Sequence, residues 1–280
     1  APEARGAGGA LPRRRGRAGA HGQHHHRAGA VADLEIEGTS LWSRLWSVLP
    51  RLSAVYSTAL VVGVEKFTDQ VGAETEAALA TTLDADFEAV QGLTTTAQAA
   101  LIARRYMHEY DLPADGLAGF AINGHAHAVG NQHAMFQKAI KRETYQSAEM
   151  VSEPLNMFDI APLADGAAAV LLTRKDLLPP GFLHPLVQIA GSASSSDTLA
   201  LHDRQDPLVF TAAGLSTQKA LEKANINLDQ VDLFEYFDAY SIYAALSLEA
   251  VGLAERGRGW SRISEPGLIT CASMGGLKAR

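Results

Sequence analysis

The chain is expected to be an α/β protein, and three observations carry that expectation. Its 280 residues are 47% hydrophobic and 20% charged, enough apolar content for a sizeable core. Short β-branched runs recur along it, residues 58–64 (TALVVGV) being the clearest. Between those runs lie stretches with helical spacing of apolar residues, bounded by capping and turn residues, and that alternation is the pattern of strands joined by helices.

Residues 1–32 stand apart. They are almost wholly Ala, Gly, Arg and His, with six arginines against the lone Glu3, about +5, so the net charge of −7 leaves −12 for the remainder. With no apolar periodicity they cannot offset the entropy of ordering, and disorder is expected. A nucleic-acid role is a distant reading that would rest on this basic stretch alone, since the acidic body would repel a polyanion. Consecutive His24, His25 and His26 lack the fixed geometry of a metal site. The abrupt change of composition is what a wrong reading frame or a false start produces in a GC-rich gene.

In residues 33–57, Leu41, Trp42, Leu45, Trp46 and Leu49 follow helical spacing until Pro50 stops the run. Such a stripe makes a core contact or docks on a membrane or partner. Residues 58–64 then predict a strand buried on both faces of a parallel sheet. A helix begins at a Thr95-x-x-Gln98 box, places Ala100, Ala103, Met107 and Tyr110 on one stripe, and stops ahead of Pro113. Residues 116–160, rich in His, Asn and Gln, read as irregular and therefore as functional. Asp165 and Gly166 turn into a second buried strand over 167–172.

Pro179, Pro180 and Gly181 divide the chain. Beyond them the pattern predicts a strand at 184–190, a helix capped by Ser216 and running through Ala220, Leu221 and Ala224, a strand at 231–235, and a helix at 241–251 closed by Gly252. No apolar run reaches the ~18–20 residues that cross a bilayer, and the N-terminus lacks a signal-peptide pattern, which predicts a cytoplasmic protein with no membrane partner. The single cysteine, Cys271, excludes an internal disulfide and a multi-cysteine metal site.

At this point the residues carry a resemblance. LVVGVEKFTD at 60–69, ADGAAAVLL at 164–172, VDLFEYFDAYSIYAALSLEAVGL at 231–253 and MGGLKAR at 274–280 resemble, in order and spacing, the thiolase family in its sterol carrier protein-like and acetyl-CoA acetyltransferase branch. The resemblance implies a thiolase-like layered αβαβα sandwich, truncated at both ends. Residues 1–57 are unmatched, 58–178 would be the remainder of the N-terminal half with a loop excursion over about 70–160, and 179–280 part of the C-terminal half.

It also implies an acyltransferase of lipid metabolism that forms or thiolytically cleaves a carbon-carbon bond between acyl groups carried as coenzyme A thioesters. Those thioesters are substrates, and no cofactor is bound permanently. The expected partners are acyl-CoA, further copies of the chain in a homodimer or homotetramer, and a small OB-fold protein. The chemistry is covalent catalysis by a thiolate that a histidine activates, with an oxyanion hole for the enolate. The family's nucleophile belongs near residues 37–40, where there is no cysteine, and no histidine follows His202, so the Gly-His-Pro histidine is missing too. The chain as it stands is therefore expected to be inactive. The alternative is a non-catalytic acyl-CoA-binding or scaffold subunit.

Several residues are carried over onto the family pattern. Phe237, Asp238, Ala239 and Tyr240 stand where the family has Asn-Glu-Ala-Phe or His-Asp-Cys-Phe; Asp238 fits the acidic second place, and Phe237 has no hydrogen-bonding group for the first. Asp238 either belongs to the catalytic surroundings or is a cap or hydrogen-bonded turn residue at the helix start. His125, with Asn131 and Phe136, matches the branch's loop motif and either lines the acyl-CoA pocket or makes a structural hydrogen bond. His127 and His133 read as solvated loop residues. Gly275 and Gly276 match the glycine loop of the substrate site, and Cys271, just before them, reads as a small core residue.

Overall fold

The computed structural model describes residues 57–66, 69–70 and 72–263. The chain divides into two compact units, Ala1–Glu37 and Gly38–Arg280, and the first lies wholly outside the described residues. So do the expected disordered stretch, the histidine run, the Leu41–Leu49 stripe, Cys271, Gly275 and Gly276.

Strand β1 (Thr58–Glu65) is extended because β-branched side chains lose rotamer freedom in a helix and fit a pleated surface. Its partner is β4 (Gly166–Thr173), antiparallel, in register from Thr58 opposite Thr173 to Glu65 opposite Gly166. Both strands appear where the sequence predicts them, but the parallel, doubly buried setting does not. Leu60, Val62 and Val64 are 65%, 52% and 68% exposed. Burial needs covering layers, and among the described residues this pair forms a two-stranded sheet without them.

The helical body is denser. Helix α1 (Ala73–Ala80) leads to α2 (Thr95–Glu109), whose cap is Thr94 rather than Thr95: the Thr94 hydroxyl accepts the Ala97 N–H at 3.1 Å. The predicted face holds, with Ala99, Ala100, Ile102, Ala103 and Tyr106 buried and Met107 and Tyr110 packed at its edge. The segment read as irregular contains α3 (Ala118–Ala128), α4 (Arg142–Gln146) and a hairpin of β2 (Met150–Ser152) and β3 (Leu155–Asn156) about the cis Glu153–Pro154 bond. Gly119, Asn123, Gly124 and two histidines have weak helix propensity, and burial of Ala118, Ala121, His125 and Ala128 on one face overrides it.

Helix α5 (Thr211–Ala224) begins five residues before Ser216, whose hydroxyl donates to Ala213 O at 3.0 Å inside the helix, so the predicted cap is corrected to a back-bonded interior serine. Helix α6 (Ser241–Ala250) runs as predicted, and Gly252 beyond it has φ 87°. Helix α7 (Gly259–Arg262) packs on α6. The predicted strands at 184–190 and 231–235 form no ladder, because no neighbouring segment among the described residues takes their backbone groups. The mixed α/β class stands with fewer paired strands than the pattern suggests.

One core unites α2, α3 and α6: Ala103, Tyr106, Phe120, Leu155, Ile242, Leu246 and Leu248 are in it, all nearly or fully buried. Helix α5 approaches α6 closely at Gly214, where a Cβ would lie 2.7 Å from Ala250 O. No described helix is long and apolar enough to cross a membrane.

Candidate functional site

A short segment, residues 156–161, connects the two places where the sequence suggests chemistry. On one side is the turn before α6. Ser241 N–H donates to Asp159 O at 2.9 Å, Ala161 N–H donates to Ala239 O at 2.8 Å, and Ile160 bridges Tyr240. On the other side is α3, where the His125 ring meets Phe158 edge-on with centroids 5.5 Å apart.

Asp238 is 2% exposed, and the preceding Phe237 is 49% exposed. Tyr240, not Asp238, is the residue preceding α6, and its side chain makes no capping hydrogen bond to that helix. Tyr240 instead donates its hydroxyl to Thr95 Oγ1 at 3.1 Å, tying this turn to the start of α2.

His125 lies on the last turn of α3, buried, with Nδ1 3.0 Å from Lys138 O. Phe136 is exposed, tilted against the His125 ring at 6.2 Å. Asn131 closes the turn after α3: its N–H donates to Ala128 O, and its Oδ1 accepts the His133 N–H at 2.9 Å. His125, Asn131 and Phe136 are thus neighbours, and residues 156–161 link them to the turn that follows Asp238. His133 is exposed as expected. His127 is not a solvated loop residue: it is helical and half-buried, and its Nδ1 has no hydrogen-bond partner among the described residues.

The residue that sequence reasoning missed is Asp159. Fully buried, it accepts the Tyr145 hydroxyl at 2.8 and 2.9 Å and the Asn156 N–H at 3.0 Å. Burial pushes its carboxyl above the usual range, against the pull of these hydrogen bonds. Burial and the nearby Asp159 charge push the Tyr145 phenol up as well, so it stays a donor at neutral pH. A signal existed: Asp159 is the only charged residue in the run from Leu155 to Leu163. Among the described residues no group of three metal-binding side chains clusters.

Comparison with known proteins decides what this arrangement belongs to. The family described as "Thiolase, N-terminal domain" matches residues 53–176, and "Thiolase C-terminal domain-like" matches residues 193–280. The chain belongs to the thiolase family. The acetyl-CoA acetyltransferase of Methanothermobacter thermautotrophicus is 35% identical over 234 residues, 81% of this chain and 60% of that protein. Among solved structures, the Ltp2-ChsH2(DUF35) aldolase aligns with a TM-score of 0.69 at 24% identity, over 83% of this chain and 62% of that one. A monomeric SCP2-thiolase-like protein type 1 from Mycobacterium smegmatis aligns with a TM-score of 0.65 at 18% identity, over 88% of this chain and 51% of that one. These structures share the thiolase-like fold. The chain spans about three fifths of the length of its acetyltransferase relative, and both His125 and the Asp238 turn fall inside the thiolase matches.

Proposed function

We propose that this chain is part of a thiolase-type acyltransferase acting on acyl-CoA thioesters, by carbon-carbon bond formation or thiolytic cleavage, and that the 280 residues alone do not complete the catalytic set. The observation that carries the reading is the pair of thiolase domain matches in order along the chain, with an acetyl-CoA acetyltransferase relative across both. In the reaction a thiolate attacks the thioester carbonyl and expels coenzyme A, and a second group moves the α-carbon proton while hydrogen-bond donors hold the enolate oxygen. In this reading Asp238 belongs to the surroundings of that oxyanion site, and His125, Asn131 and Phe136 receive the acyl-pantetheine arm together with Gly275 and Gly276.

Assay of acetoacetyl-CoA and longer 3-ketoacyl-CoA thiolysis tests it. The expected result is no turnover above background, since loss of a nucleophile removes several powers of ten in rate. Turnover abolished by Cys271→Ser would overturn the incomplete-set reading and make Cys271 the nucleophile.

A second reading, an acyl-CoA-binding or scaffold subunit with a small OB-fold partner, is favoured by one observation: one of the solved structures that share the fold is the Ltp2-ChsH2(DUF35) aldolase. Calorimetric titration with acetyl-CoA separates the two. Weak binding is expected of the first reading, whereas tight binding lost in His125→Ala favours the subunit. Tight binding that survives His125→Ala refutes the pocket assignment. A cytoplasmic location and assembly as a homodimer or homotetramer complete the proposal.

A further inference from the structure

A buried carboxylate is a poor source of stability, because its partners barely offset the water it loses and a well-packed apolar side chain is often as good or better. Asp159 is such a carboxylate, with no accessible surface. What it does provide is direction, since two of its groups hold two different parts of the molecule. Its carboxylate accepts the Tyr145 hydroxyl and the Asn156 N–H, and Tyr145 packs with Ala118 and Ala121 of α3 and with Phe158. Its carbonyl accepts the Ser241 N–H, the first of α6 and one that the helix itself leaves without a partner.

The turn that carries these groups is itself hydrogen-bonded. Asn156 Oδ1 accepts the Phe158 N–H at 2.8 Å, and Asn156 O accepts the Asp159 N–H at 3.0 Å. Phe158, edge-on to the His125 ring, is thus held in the same turn as Asp159. An asparagine at 159 would not serve as well. A carboxylate has two acceptor oxygens and no donor, so the Tyr145 O–H and the Asn156 N–H are both met, whereas an amide would turn an NH2 group towards one of them.

We propose that Asp159 is a positioning residue: its carboxylate, held by Tyr145, and its carbonyl, bonded to the Ser241 N–H, together set where the His125 ring stands relative to the turn that precedes α6. The geometric part stands on these hydrogen bonds alone. Its consequence for a substrate rests on the acyltransferase reading, in which the pantetheine arm lies at His125 and the thioester carbonyl lies by the Asp238 turn. A thioester then spans both places, and its affinity follows their separation.

Two substitutions cut the two ends separately. Tyr145→Phe removes the hydroxyl at the carboxylate. Ser241→Pro removes the N–H at the carbonyl; proline suits the first position of a helix, and Tyr240, with φ −134° and ψ 142°, already has the extended backbone required before it. Ser241→Ala keeps the N–H and controls for the lost hydroxyl. Asn227→Ala, which breaks the capping box at 227–230, beside Gly252 at the other end of α6, controls for a loss of stability. By NMR the Ser241 amide should shift in Tyr145→Phe and the His125 ring protons in Ser241→Pro, each change read at the end opposite the substitution. The His125 ring should stay in place in Ser241→Ala, and both signals in Asn227→Ala. Asp159→Asn, close to isosteric, should move both signals and replaces either variant that fails to fold. A Ser241 amide unmoved in Tyr145→Phe, a His125 ring unmoved in Ser241→Pro, or the same shifts in Asn227→Ala would each overturn the positioning role. Calorimetric titration with acetyl-CoA then reads the consequence: affinity should fall several-fold in Tyr145→Phe and Ser241→Pro and hold in both controls. Affinity that holds while the resonances move would overturn the link to substrate. Absence of binding in the wild type would overturn the acyl-CoA pocket instead, with the resonances still deciding the positioning.

Discussion

The β1–β4 ribbon and helix α3 exchange the environments that their compositions suggest. The ribbon holds Leu60, Val61, Val62, Val64, Val170, Leu171 and Leu172, yet most of its residues are exposed. Helix α3 has two glycines, two histidines and an asparagine, and yet Ala118, Phe120, Ala121, Gly124, His125 and Ala128 are all buried. A side chain is buried by what surrounds it rather than by its own apolarity. Ala118, Ala121 and Ala128 share one face with His125 at helical spacing, and the small alanines let α3 sit close to its neighbours, whereas a β-branched run is buried only when layers are supplied on both sides.

The sharpest test of that contrast is the stability cost of truncating a β-branched side chain to alanine in each place. Ile242→Ala, in the core between α2 and α6, should lower the unfolding free energy by about 2–5 kcal/mol. Val62→Ala on the ribbon should cost about 1 kcal/mol or less, because that side chain is 52% exposed. Urea unfolding of both variants checks this. Equal costs would mean that the ribbon is as fully covered as the core.

A smaller effect sharpens the comparison at the site, where a polar group is buried as deeply as any core residue. Tyr145→Phe leaves the Asp159 carboxyl without its hydroxyl donor and should cost about 1–3 kcal/mol. The pH dependence has a definite sign. Because burial raises the folded-state pKa of Asp159 above its unfolded value of 3.8, the folded protein holds this proton more tightly than the unfolded chain does. That contribution is fully present below about pH 3.8 and is lost as pH rises through the folded-state value. Asp159→Asn removes the titration, so the stability difference between wild type and variant should move in the variant's favour between pH 4 and pH 7. A difference that stays constant with pH would show that Asp159 is not strained by burial.

The sequence made the local elements of the helical body legible and left their surroundings obscure. Helices α2 and α6 appear near their predicted places because capping, spacing and terminal glycine all act within one element. The strands at 58–64 and 167–172 also appear, but their antiparallel pairing depends on residues more than a hundred positions apart, which periodicity cannot register. The same limit removed the strands at 184–190 and 231–235: a run with strand composition becomes a strand only when a neighbour accepts its hydrogen bonds. At the candidate site, His125 and Asp238 are singled out by motif resemblance alone. Asp159 belongs to no motif, and its importance arises from segments that meet only in the fold, Tyr145 on α4 and Ser241 at the start of α6.

The smallest expected effect distinguishes a true cap from a residue that only resembles one. Thr94 satisfies the Ala97 N–H, one of the donors that the first turn of α2 leaves without a helical partner, so Thr94→Ala should cost about 1 kcal/mol. Ser216 has the composition of a cap but sits inside α5, bonded back to Ala213 O, where a hydroxyl competes with the helix's own hydrogen bonding. Ser216→Ala replaces it with the best helix former and should be neutral or stabilising by a few tenths of a kcal/mol, about the difference in their intrinsic propensities. Thermal unfolding of the two single variants and the double variant checks both signs. The two helices share no residue, so the effects should add to within about 0.5 kcal/mol. A loss of about 1 kcal/mol in Ser216→Ala would place the start of α5 at Ser216 after all and restore the boundary that the sequence suggests.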